Sequence, residues 1–427
     1  MIHSLIKSMR CLFKKRSTNG LVLLSLASIL NQAIVFISAP ILSRIFSADD
    51  FGRLAVFTSY VNIIGSVSTG LYENVILIHE NDDSAWSVFM TASLLGIGYS
   101  ILSTAIMLLV HFAGGMNYFS YTEIFLLGLN VCLSALYTCI NYWFNRLGHF
   151  SFFIRSMILQ TGINVVVSIS LRLLFGVENA LIISVVIGAF VATLFLGVSV
   201  FRKFSFQGFF SRERIWNDML IHKSFPLYQA PTNLITMIQT SLVPVIFSNL
   251  FGMTFAGYFS MANRIVRVPF TLFTSAISNI FKNEFREALI RRDEVRIFIK
   301  YAKILILLSV IVFPILGFLG PSIFSFWLGD AWEYAGSIAK VICFMLLFEF
   351  VDLPLRSVFM NYNKQRLIFL FQLTSIIVSF STIYLTNYFY SDAEVSLKSF
   401  ALVSSVISVF AIMISYKIVK KKNISHV

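Results

Sequence analysis

Apolar runs of about 20 residues, separated by short polar turns, recur from one end of the chain to the other. At 1.5 Å rise per residue each is long enough to cross a hydrocarbon core of about 30 Å as a helix. The runs predict helices near residues 21–43, 54–78, 87–111, 122–144, 156–175, 180–201, 224–249, 255–281, 304–327, 333–359, 367–389 and 399–417, twelve in all. Strand-like alternation is absent, which argues against a β-barrel.

Within this pattern the stretch "ILSRIFSADDFGRLAVF", Ile41 to Phe57, is unusual in placing Arg44, Asp49, Asp50 and Arg53 between two apolar runs. Its phrasing returns 205 positions later in "IFSNLFGMTFAGYFSMA": Ile41 overlays Ile246, Ser43 Ser248, Phe46 Phe251 and Gly52 Gly257. The polar positions that follow keep the same offset. In the second span Ser59, Asn62, Ser66, Thr69 and Glu73 step by 3, 4, 3 and 4, which on a regular helix is one face. In the eighth, Arg264, Arg267, Thr271, Thr274 and Ser278 step identically. Spans one and seven agree more loosely, Ser28 and Asn31 falling on Asn233 and Thr236.

An offset containing six spans preserves orientation, so the halves read as parallel repeats about an axis along the membrane normal. The sequence thus predicts an all-α polytopic membrane protein: two six-helix bundles, 21–201 and 224–417, around a central cavity lined by the two polar faces. A basic amphipathic segment (1–20), a linker (202–223) and a basic tail (418–427) complete it. The charged cluster becomes the outer turn between the first two spans, where Asp49 or Asp50 can cap the incoming helix.

Hydroxyl side chains in membrane helices commonly pack closely or bond their own backbone, so no single Ser or Thr of the stripes demands a role. The arginines differ. Arg264 and Arg267 lie near the middle of their span, where a charge costs several kcal/mol unless it meets water or a partner. With Ser59, Asn62, Asn31 and Thr271 they form the candidate binding set, and Glu73 is a candidate ion-coupling carboxylate. In the tenth span Glu349, Asp352 and Arg356 share a face. Glu349 and Asp352 are further coupling candidates, although Asp352 and Arg356, at i and i+4, can also satisfy each other. Arg155 and Arg172 sit at span ends and can snorkel to the interfaces.

Composition agrees with a membrane protein: the 427 residues are 57% hydrophobic and only 12% charged, far from soluble usage. Of 33 Lys and Arg, 25 fall on the side of the N-terminus and only Arg44, Arg53, Arg172 and Lys398 on the other, which by the positive-inside tendency places both termini in the cytoplasm. The same count removes the +13 net charge as evidence for nucleic-acid binding, since the excess sits in short loops facing anionic lipid. The basic N-terminus precedes a run too long for a signal-peptide core, so it reads as retained, with a short helix on the inner membrane surface. Cys11, Cys132, Cys139 and Cys343 form no C-x-x-C pair and read as core residues rather than a disulfide framework or metal site. No G-x-x-x-x-G-K-[ST] motif for nucleotide binding occurs, and no cofactor is expected.

The motifs "LSRIFSADDFGRLAVF", "FNRLGHF", "HKSFPLYQAPTNL", "FGMTFAGYFSMANRIVRVPF" and "FWLGDAWEYAG" together resemble the polysaccharide-exporter branch of the multidrug/oligosaccharidyl-lipid/polysaccharide flippase superfamily, in particular the Wzx-type O-antigen flippases. The resemblance runs through nearly the whole chain. It implies a non-enzymatic protein of the bacterial inner membrane that translocates an undecaprenyl-pyrophosphate-linked oligosaccharide by alternating access. Membrane lipids, a polysaccharide polymerase and a chain-length regulator would be its neighbours. Paired guanidiniums at membrane depth suit such a substrate, because their forked donors match phosphate oxygens.

Two other classes compete. A multidrug or cation antiporter of the same superfamily would favour a carboxylate-lined cavity; Leu21 to Ser43 contains no acid, although Glu73 keeps that class in view. A membrane-embedded polymerase or acyltransferase would ordinarily carry a large outward loop with catalytic residues. The outward loops here are short and offer one plausible histidine, His111.

Overall fold

A computed structural model of the protein describes residues 18–79, 81–115, 118–203, 219–362 and 364–424, and every regular element among them is helical. The expected N-terminal surface helix and most of the 202–223 linker lie outside the described residues. Twelve long helices overlap the twelve expected spans, the second only in part: α1 (Thr18–Ile45), α2 (Ala48–Gly65), α3 (Asp82–Phe112), α4 (Tyr121–Arg146), α5 (Phe150–Phe175), α6 (Ala180–Lys203), α7 (Ala230–Phe251), α8 (Met253–Arg291), α9 (Glu294–Leu328), α10 (Glu333–Leu355), α11 (Gln365–Tyr390) and α12 (Ala393–Ile424). Nine of these are long and apolar enough to cross a membrane. The other three, α2, α8 and α10, are the ones that carry the start of the first polar stripe, the second stripe and the Glu349 cluster. The protein is a multi-pass membrane protein.

Local chemistry sets the helix ends. Ser120 caps α4 reciprocally with Glu123, and Asn81 accepts from the Asp83 amide at the start of α3. The cap of α2 differs from expectation. Ser47, not an aspartate, occupies the N-cap; its amide and hydroxyl both reach Asp50 at 2.9 Å, while its Oγ accepts from the Asp50 amide. Asp49 instead pairs with Arg53 at 3.2 Å. Two donors are satisfied mutually in such a box, which is why the serine outcompetes a lone carboxylate. At the other end of the chain α12 continues past the expected span to Ile424, taking most of the basic tail into the helix.

The chain divides into two compact units, residues 1–45 with 57–237 and residues 46–56 with 238–427. The division departs from 21–201 and 224–417 in two places: the first turns of α2 belong to the second unit, and the start of α7 to the first. In the first unit α3 packs on α4, α5 on α6, α4 on α6 and α1 on α5; in the second, α9 packs on α10, α11 on α12 and α10 on α12. Adding six to each helix number in the first three pairs gives the second set, so the sequence repeat is also a repeat of packing. The fourth pair has its counterpart in Gln239 of α7, which donates to Ser375 of α11 at 3.2 Å.

Aromatic groups fill both cores. Trp86 stacks on Phe89 with ring centroids 4.6 Å apart and meets Trp143 edge-on at 5.1 Å; Cys139 is buried in the same cluster. In the second unit Phe247 meets Phe255 and Phe259 at 5.3 and 4.9 Å, and Phe313 lies between Phe270 and Phe350. Such edge-to-face arrangements exploit the ring quadrupole in addition to contact area. Cys343 is buried as well and Cys132 partly so, all three described cysteines being free thiols.

Candidate functional site

The two stripes, alike in sequence, differ in structure. In α8 the helix runs unbroken for 39 residues and keeps Arg264, Arg267, Thr271 and Thr274 on one face. The first-unit stripe is not continuous. Helix α2 stops at Gly65, a turn follows, and Gly70 and Leu71 take left-handed conformations at φ 61° and 60° before a 3-10 segment, Tyr72–Leu77. Thr69 and Glu73 therefore do not extend the face that holds Ser59 and Asn62. The expected single stripe over 59–73 is corrected to two pieces, because two successive left-handed residues cannot continue a right-handed helix.

Glu73 is buried, and Thr69 donates its hydroxyl to the Glu73 carboxylate. Its neighbour Asn74 is held by the Leu71 carbonyl at 3.2 Å and by the Tyr142 hydroxyl at 3.1 Å. This segment is clamped by a residue that the periodicity gave no reason to single out. Arg146, at the end of α4, donates to the carbonyls of Ile76 and His79 and to Asp82, the last at 2.8 Å. The same edge brings His79 Nε2 within 3.2 Å of His222 Nε2.

The two α8 arginines, three residues apart, have separate fates. Arg267 is held on three sides: its Nε donates to Asn263 Oδ1 at 2.8 Å, and its two terminal nitrogens reach the two Glu349 oxygens of α10, each at 3.3 Å. The fork is the geometry that favours Arg over Lys in such a pair. Its guanidinium also stands 5.7 Å from the Phe270 ring centre. Arg264 has no hydrogen-bond or ion-pair partner among the described residues, although it is only partly exposed and begins its turn about 17 Å along α8 from Met253. Pro269, one turn beyond, has no N–H to give the Ile265 carbonyl.

The remaining candidates are distributed as follows. Asp352 is fully buried and forms an ion pair with Arg356, the C-cap of its helix, with Nε 3.2 Å from Oδ1; Arg356 in turn lies 5.9 Å from the Phe371 ring centre. Asn31 of α1 accepts from Thr161 of α5 inside the first unit. Ser59 is buried, Asn62 exposed. Thr271 is exposed and returns its hydroxyl to the Val268 carbonyl at 3.0 Å, as Ser66 does to Ile63 at 2.7 Å. Structure thus joins Arg267 to Glu349 and Asp352 to Arg356, leaves Arg264 and Asn62 available, and adds Asn263, which sequence reasoning missed. An asparagine four residues before an arginine was the available signal, since that spacing puts both on one helical face.

Residues 41–337 match the family model described as "Polysaccharide biosynthesis protein". No curated protein matches the chain. Among solved structures the chain is similar to an inward-facing multidrug resistance MATE family transporter of the MOP superfamily, with 14% identity over 91% of this chain and 96% of that one and a TM-score of 0.68. It is also similar to the lipid II flippase MurJ in an inward closed conformation, at 15% identity over 93% and 87% of the two chains and a TM-score of 0.70. A MOP superfamily transporter from Pyrococcus furiosus, described as having a binding pocket of reverse polarity, gives 13% identity over 96% and 97% and a TM-score of 0.58. At these identities the likeness establishes a shared helical fold.

Proposed function

Since the chain belongs to the polysaccharide biosynthesis protein family, we propose that it is a flippase moving an undecaprenyl-pyrophosphate-linked oligosaccharide, an O-antigen or related repeat unit, across the bacterial inner membrane by alternating access. The observation that carries the reading is Arg264: a partly covered guanidinium without a partner among the described residues, at a depth where a charge is costly unless something anionic visits it. A pyrophosphate supplies that anion, and the guanidinium fork fits its oxygens. Arg267 is the second contact. Its pair with Glu349 is partly exposed, so an arriving phosphate can compete for it, and Glu349, released, becomes a carboxylate free to take a proton or cation. On this reading Glu349 is the coupling group in immediate contact with the binding pair.

Cation antiport is the rival, favoured by the fold shared with multidrug transporters and by the buried Glu73 carboxyl. An unpaired arginine repels a cationic substrate. The two separate in one experiment: Arg264→Ala should leave the protein in the membrane at normal abundance while lipid-linked intermediate accumulates on the cytoplasmic side, with Lys rescuing only in part. Normal surface glycan in that variant would sink the proposal, and an accompanying gain of cationic drug efflux would favour the rival. The 25-to-4 distribution of Lys and Arg supports cytoplasmic termini, and the polymerase and chain-length regulator are the natural recipients of the translocated unit.

A further inference from the structure

A groove of about 540 Å³ opens in the second unit between α10 and α12. Its rim at the start of both helices is polar: Lys340 of α10, with Lys398 and Glu394 of α12, which pair at 3.0 Å. Its deeper end is apolar and half-exposed, formed by Phe344 and Leu402. The paired Lys398 and Glu394 cancel, leaving Lys340 as the net charge. Lys340 is exposed and has no hydrogen-bond or ion-pair partner among the described residues.

Position makes this cation informative. Lys340 lies about 10 Å along α10 from its first residue Glu333, so its four-carbon stem can carry the ammonium back to the phosphate plane of a bilayer. The helix starts Glu333 and Ala393 lie on the side away from most of the Lys and Arg, where topology alone gives no reason for extra positive charge. A polar, cationic mouth over an apolar trough has the polarity profile of a phospholipid: phosphate at the rim, acyl chain beneath.

From this complementarity we infer that the α10–α12 groove is a binding site for a membrane phospholipid with an anionic headgroup, whose phosphate contacts Lys340 and whose chain lies along Phe344 and Leu402. The site is separate from Arg264 and stands whether or not the protein is a flippase. Glu349 is on α10 as well, nine residues beyond Lys340, so the lipid grips the helix that holds the Arg267 partner.

Native mass spectrometry of the full chain, loaded with dioleoyl phosphatidylglycerol or with dioleoyl phosphatidylcholine, tests the inference. The wild type should retain phosphatidylglycerol in preference. Lys340→Gln should lower that retention about fivefold, the worth of one basic residue near a charged headgroup, while Lys340→Arg keeps it and Arg53→Gln, which does not line the groove, leaves it unchanged. Leu402→Trp, filling the trough, should lower retention of both lipids. Equal retention of phosphatidylglycerol by wild type and Lys340→Gln would overturn the site. Displacement of phosphatidylglycerol by an equimolar polyprenyl phosphate, lost in Lys340→Gln, would overturn the phospholipid assignment in favour of an isoprenoid carrier.

Discussion

Gly52 and Gly257, which the 205-residue offset superimposes, also lie against each other. A Cβ on Gly52 would stand 1.9 Å from the Met253 carbonyl oxygen, and one on Gly257 1.7 Å from that of Ala48. Met253 is itself the counterpart of Ala48, so the contact is reciprocal: each helix start presents its carbonyl to the other's glycine. The sequence echo at these positions is therefore a packing requirement, two backbones approaching too closely for any side chain.

From this crossing it follows that Gly52→Val and Gly257→Val should each lower the thermal stability of the detergent-solubilised protein, and by similar amounts. Overpacking of a tight contact costs about 1–3 kcal/mol. Gly98→Ala in α3, where an added Cβ meets nothing within 4 Å, is the control and should be neutral. Unequal effects of the two valines, or none, would contradict the reciprocal contact.

For the Arg267–Glu349 pair the expected loss is in folding as well as in substrate handling, and stability reads the first separately. Glu349→Gln leaves a guanidinium without its counter-charge and should cost about 1–3 kcal/mol, less than a fully buried pair because both side chains keep some exposure. The double variant Arg267→Met, Glu349→Leu should recover much of that stability while remaining inactive. A double variant no more stable than Glu349→Gln would show that the two residues are not energetically coupled.

Arg146 should be the more sensitive arginine of the first unit. Its side chain is only 11% exposed and ties two backbone carbonyls and Asp82 to the end of α4. Hydrogen bonds to a charged donor contribute about 1.5–3 kcal/mol each, so Arg146→Ala should reduce membrane abundance, and Arg146→Lys should restore only part. Proteolysis near residues 76–82 reports the loosening; unchanged cleavage in Arg146→Ala would argue that the clamp is idle.

Glu73→Gln separates coupling from packing. The amide keeps an oxygen to accept from Thr69, so abundance should stay close to normal. If Glu73 exchanges a proton, surface glycan should fall and lose its dependence on external pH. Wild-type export at every pH tested would assign Glu73 to structure alone.

By itself the sequence determined the elements that water and hydrocarbon dictate. A run such as Ala180–Lys203 has one stable state in a bilayer, since its backbone must bond internally, and so the helices, their number and the duplicated order were legible from hydrophobicity and offset. What it left open was decided by groups distant in the chain. Arg264 and Arg267 are equivalent by spacing, and the approach of Glu349, 82 residues away, marks out Arg267 as the paired guanidinium. Ser59 through Glu73 has the periodicity of one helix, yet the chain breaks after Gly65 where Arg146, Thr69 and Tyr142 can satisfy the polar groups that a turn exposes. Periodicity records which face a residue would occupy on a regular helix. The partner that meets that face, and whether the helix continues, depend on tertiary contacts that compensate the charge or the broken backbone bonds.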